Sequence, residues 1–134
     1  MMETLFSNEY LLIFLYPEKA AIEIIWLSEN QSLSLNEYIE HWLLISKYVH
    51  VLKISYLLID AYDFNYRIVP EIHALFSDMF YGLKSECVAM TMSKEILGRK
   101  TLTDLLRQGN YCGVNIFQNK NEGSEWLELQ NRDY

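Results

Sequence analysis

The sequence predicts an α/β domain: a mixed five-stranded sheet entered through an N-terminal hairpin, with helices packed mainly on one face. Three observations carry this. Two apolar, β-branched and aromatic runs, residues 10–16 and 21–27, lie a hairpin's length apart. Beyond them, short apolar runs alternate with stretches whose apolar residues recur every three or four positions. One of those runs, residues 54–59, is apolar almost throughout, the pattern of a strand buried on both faces.

Each element has its own signal. Only Pro17, Glu18, Lys19 and Ala20 separate the first two runs, and a parallel crossover needs about a dozen residues, so these strands are antiparallel neighbours. Ser34 then begins a helix as its N-cap. Glu37 completes a capping box, and Leu33 with Tyr38 makes a hydrophobic staple. The helix runs to about Val49. Its inward stripe is Leu35, Tyr38, Ile39, Trp42, Leu43, Ser46 and Val49, with Glu37, Glu40, His41 and Lys47 on the other side. The strand at 54–59 ends on Asp60. After a loop, Pro70 suits the first helical position, and Ile72, Leu75, Phe76, Met79, Phe80 and Leu83 form a regular stripe that Gly82 and Lys84 end. Residues 87–92 are the next strand. Ser93 caps a helix with Ile96, Leu97, Leu105 and Leu106 inward and Gly98 loosening its first half, and Gly109 stops it. The order ββαβαβα is completed by a strand at 114–117 and a closing helix, about 121–129, that turns Trp126 and Leu127 inward. The chain reads as one domain over residues 1–134, with its ordered core at about 10–129.

Composition narrows the function. A net charge of −7 with a pI near 4.9 repels nucleic-acid phosphates and anionic membranes. No apolar run reaches the roughly 18 residues of a membrane span, and the start lacks a basic segment followed by an apolar one. The expected location is the cytoplasm. There Cys87 and Cys112, without a CxxC spacing, are buried free thiols rather than a disulfide.

Four stretches carry a family resemblance: Tyr16-Pro17-Glu18-Lys19 leading to Trp26, Leu57-Leu58-Ile59-Asp60, Ile68-Val69-Pro70-Glu71, and Phe117 with Glu125-Trp126-Leu127. In order and spacing they resemble the bacterial STAS-like group, related to anti-sigma factor antagonists and structurally reminiscent of CRAL-TRIO lipid carriers. The resemblance implies a five-stranded sheet with helices chiefly on one face, and a role in binding a protein or small ligand without chemistry. In anti-sigma factor antagonists a serine after the third strand is phosphorylated to release the partner. The corresponding residues here, 60–67, include no Ser or Thr, so Asp60 or Asp63 stands as a fixed negative charge where the switch would be.

No motif points to catalysis. Asp60 followed by Thr91 on the next strand suggests a degenerate receiver domain. A receiver, however, holds Mg²⁺ with an acidic pair after its first strand, where this chain has a tight turn. His41, His50 and His73 have no metal-binding spacing and read as surface residues, and GxGxxG, GxxxxGK[ST] and GxSxG are all missing. No metal or other cofactor is expected, and the chain is not expected to be an enzyme. The expected role is a regulatory or interaction module binding a protein partner. The alternative is a carrier of a small apolar or lipid-like ligand between sheet and helices, lined by the abundant aromatic residues. Self-association through sheet edges is a further expectation. Open α/β sheets bind at the carboxyl ends of their strands. That rule names Asp60, Tyr62, Asp63, Tyr66 and Arg67 after the third strand, and Ser93 and Lys94 after the fourth.

Overall fold

The computed structural model describes residues 2–67, 69–81, 88–109 and 114–132. Strands β1 (Glu3–Ser7), β2 (Leu11–Tyr16), β3 (Ala21–Trp26), β4 (Tyr56–Asp60), β5 (Val88–Thr91) and β6 (Val114–Phe117) form one sheet, ordered as in the chain. The first three are antiparallel and the last three join β3 in parallel. Helices α1 (Leu35–Val51), α2 (Pro70–Tyr81) and α3 (Ile96–Gly109) link the parallel strands, and α4 (Lys120–Arg132) follows β6.

The sheet therefore has six strands where five were expected. The addition is β1, an edge strand whose five residues are all at least partly exposed, so neither an apolar run nor a clean alternation marks it. A bulge between Thr4 and Phe6 lets both Leu5 and Phe6 pack on the core. The β2–β3 connection is a 3₁₀ turn, Pro17–Lys19, closed by Ala20 in the left-handed region (φ 51°). The Ala20 carbonyl accepts the Ser55 and Tyr56 amides, at 2.7 and 3.2 Å, which fixes where β4 begins beside β3.

Crossovers between parallel strands take one hand, so a sheet that adds each new strand on the same side collects its crossover helices on one face. Ile22, Ile24 and Trp26 of β3, Leu57 and Ile59 of β4, and Val88 and Met90 of β5 meet α1, α2 and α3 on that face. Trp26 lies at its centre, its ring 5.2 Å from Trp42 and 5.4 Å from Phe64. Each such buried aromatic contributes roughly 1.5–3 kcal/mol. No strand follows α4. It covers the opposite face, where Leu127 packs with Tyr56, Leu58 and Ala89.

The capping box of α1 is present: the Ser34 Oγ accepts the Glu37 amide, and the Glu37 carboxylate accepts the Ser34 amide. That bonding holds the Glu37 carboxyl below the usual range. At the other end the Lys53 amide bonds to His50 O and the Ile54 amide to Val49 O, a Schellman ending with Lys53 at φ 52°. The buried stripe of α1 is Tyr38, Trp42, Ile45, Ser46 and Val49. Leu35 and Leu43, expected inward, are exposed, because the stripe that meets the sheet is narrower than the apolar surface of the helix.

In α3, Ile96 and Leu97 are likewise exposed, while Leu102 and Leu105 are buried. The first turn projects past the strand ends, and only the later turns lie over the sheet core. Pro70 opens α2 as expected, and Ile72 is buried. The expectations for Ile68, Gly82, Leu83, Lys84, Cys87 and Cys112, and for the side chains of His73, Phe76, Met79 and Phe80, lie outside what the structure describes.

Candidate functional site

Three loops meet at the carboxyl ends of the parallel strands. Asn30, in the 3₁₀ segment Ser28–Ser32 after β3, is fully buried and joins the first loop to the second. Its Nδ2 donates to Leu27 O (2.6 Å) and Asp63 O (2.8 Å), and its Oδ1 accepts the Asn65 amide (2.9 Å). From the other side, Ser93 Oγ donates to Phe64 O (2.5 Å) and Thr101 Oγ1 donates to Tyr66 O (2.6 Å). The loop after β4 is thus bonded from both flanks, and each bond satisfies a backbone group that burial would otherwise leave unpaired.

The residues expected at this site divide into two groups. Asp60 closes β4, its Oδ1 accepting the Tyr62 amide (3.2 Å) and the Thr91 hydroxyl (3.3 Å), while Thr91 Oγ1 accepts the Ala61 amide (2.9 Å). Tyr66 is buried, stacked on Tyr38 at 3.8 Å, with its hydroxyl donating to Leu33 O at 2.9 Å. Ser93 is buried too. It does not cap α3, which starts three residues later; its Oγ accepts the Glu95 amide in a local turn (3.0 Å). These three serve the framework. Tyr62, Asp63 and Lys94 come together at the surface: Lys94 pairs with Asp63 Oδ1 at 3.0 Å, lies 5.2 Å from the Tyr62 ring centre, and donates its amide to Tyr62 O at 2.9 Å. The hydrogen bond and charge of Asp63 raise the Lys94 pKa. Arg67 is exposed, 5.4 Å from the Tyr66 ring centre.

Two residues of this corner had no sequence signal of their own, Asn30 and Gly98. Gly98, expected to loosen the first half of α3, is where α3 meets the loop, and a Cβ there would lie 1.9 Å from Phe64 O. His41, read as a surface residue, is half-buried. Its ring touches Phe6, Tyr10 and Trp26, and its Nε2 lies 2.9 Å from Asn8 Nδ2.

A second concave surface lies under α4, at the amino ends of β3 and β4. It is a cavity of about 120 Å³ between the β2–β3 turn and α4, lined by Ala21, Leu58 and Leu127, by Tyr16 and Tyr56, and by Lys19, Glu23, Ser124 and Glu128. Glu23 is buried in mid-strand, where its neighbours Ile22 and Ile24 point to the opposite face. Tyr16 donates to its Oε1 (2.9 Å), and Lys120 pairs with its Oε2 (3.0 Å). Burial, then the hydrogen bond and charge of Glu23, push the Tyr16 hydroxyl up to about 12. The signal that would have found this site was a single carboxylate inside an apolar strand run, since an unpaired charge cannot stay buried.

Among the described residues no group of three or more His, Cys, Asp or Glu side chains is placed to hold a metal ion, and no helix is long and apolar enough to cross a membrane. No protein-family model, curated protein or solved structure matches the chain.

Proposed function

We propose that the domain is a non-catalytic interaction module that binds a protein partner through the corner formed by Tyr62, Asp63, Lys94 and the first turn of α3. One observation carries the reading: large apolar side chains are displayed on a backbone that the fold has made rigid. Tyr62, Ile96 and Leu97 are 52%, 85% and 47% exposed, on a loop and helix start held by Asn30, Ser93 and the Gly98 contact. Exposed apolar groups rimmed by charges mark binding surfaces, and a surface ordered before binding loses less entropy on association. Asp60, the residue with the best claim to chemistry, is occupied in closing its own strand end.

The reading agrees with the resemblance to STAS-like regulators, without their serine switch. The serine and threonine hydroxyls that bond this loop, Thr91, Ser93 and Thr101, are buried and hydrogen-bonded, so a serine/threonine kinase has no ready substrate among them. The test is affinity capture from native lysate by the wild-type chain and by an Ile96→Asp/Leu97→Asp variant. A stoichiometric partner held by the first and released by the second, with thermal unfolding unchanged, is the expected result. A partner retained by both, or none captured by either, defeats the reading.

The alternative, carriage of a small ligand, is favoured by the cavity under α4. At about 120 Å³ it falls below the ~300 Å³ at which drug-sized sites begin, so the ligand it suits is small and not a lipid chain.

A further inference from the structure

We infer that the cavity under α4 is a binding site for a small primary ammonium ion bearing a short apolar chain, recognised by Glu23. The inference is independent of the protein-binding corner, which lies at the other end of the parallel strands.

A buried carboxylate in the wall sets the class of ligand. Glu23 and Glu128 are each met by one lysine, Lys120 and Lys19, so the site is balanced in charge within a chain of net charge −7, which disfavours anions. The side chain of Glu23 is 7% exposed, and among the described residues Tyr16 donates to one of its oxygens and Lys120 to the other. A carboxylate offers about four acceptor positions, so a buried group that lines a cavity keeps capacity for another donor. The protein itself shows that an ammonium suits this group, since Lys120 reaches it from the start of α4 at 3.0 Å. Glu128, paired with Lys19 at 3.2 Å, places a second carboxylate among the lining residues.

Volume and walls set the size. About 120 Å³ is well under the ~300 Å³ of drug-sized sites, which suits a molecule of a few non-hydrogen atoms. Tyr56, Leu58 and Leu127 supply walls against which a short alkyl chain sheds water. The ammonium meets Glu23 while the chain lies along these residues.

The experiment titrates ¹⁵N-labelled protein with n-butylammonium chloride, 1-butanol and sodium butyrate, following the Leu58 and Ser124 amides. Saturable shifts with butylammonium alone are expected. Glu23→Gln, which keeps the size and the acceptor for Tyr16, should weaken binding by about tenfold or more. Lys120→Met removes the competing cation and should tighten it. Ser124→Phe fills the cavity without touching Glu23 and should abolish it, which keeps the test decisive if Glu23→Gln does not fold. An equal response to 1-butanol, no saturable response to butylammonium, undiminished binding by a folded Glu23→Gln, or no tightening in Lys120→Met overturns the inference.

Discussion

Gly98 stands so close to Phe64 that a Cβ on it would lie 1.9 Å from the Phe64 carbonyl oxygen and 2.6 Å from Ser93 Oγ. Backbone cannot yield as a flexible side chain does, so α3 must move away from the loop or the loop from α3. Gly98→Ala is therefore expected to destabilise the domain by about 1–3 kcal/mol, even though alanine favours a helix by about 1 kcal/mol over glycine. Chemical denaturation measures the loss. A stability equal to or above wild type would show that the contact yields freely.

Asn8 and His41 determine each other's hydrogen bonding. Asn8 Oδ1 accepts the Tyr10 and Leu11 amides, both at 2.8 Å, which turns its Nδ2 toward His41 Nε2. His41 Nδ1 faces the Glu37 carbonyl at 2.6 Å, and a carbonyl only accepts. These contacts select the neutral tautomer with its proton on Nδ1, and ¹⁵N chemical shifts of the ring at pH 8 should show that tautomer. Asn8→Ala removes two backbone partners and the link between the β1–β2 turn and α1, and should cost about 1–2 kcal/mol. An Nε2–H tautomer, or an Asn8→Ala variant as stable as wild type, would contradict this arrangement.

Tyr16 makes stability fall at high pH. Its folded-state pKa, about 12, lies above the ordinary value of 10.0, first because of burial and then because of Glu23. The unfolded chain loses this proton first, so the contribution is complete below pH 10 and is lost as pH rises toward 12. Tyr38, whose pKa burial also raises, acts in the same direction. Tyr16→Phe should lower stability at pH 7 by about 1 kcal/mol through the lost hydrogen bond, and should flatten the decline above pH 10. Denaturant midpoints measured from pH 7 to pH 11.5 in both proteins check this, and parallel declines would refute it.

What could be read in advance came from short-range patterns. The four-residue turn between β2 and β3, the Ser34–Glu37 box, Pro70 at the start of α2 and the apolar run that became β4 each place their signal within a few neighbouring positions. Asp63 and Lys94 were legible as a loop site because the strand-end rule needs only the element order. Tyr66 and Ser93 satisfy the same rule, yet their side chains turn inward to bond the backbone of other loops. Their position was readable and their direction was not.

Local patterns in the chain are enough for an α/β domain with an antiparallel entry, parallel strands linked by helices, and a capped first helix. Long-range packing adds that β1 completes the sheet, that Gly98 is a contact rather than a weakness, that Ile96 and Leu97 face outward, and that Glu23 is buried beside Tyr16 and Lys120. Helix caps and periodicities are local interactions, whereas Asn8 meets His41 across 33 positions and Lys19 meets Glu128 across 109. Pairings of that range exist only once the sheet has brought distant segments together, and they leave no mark on the residues between them.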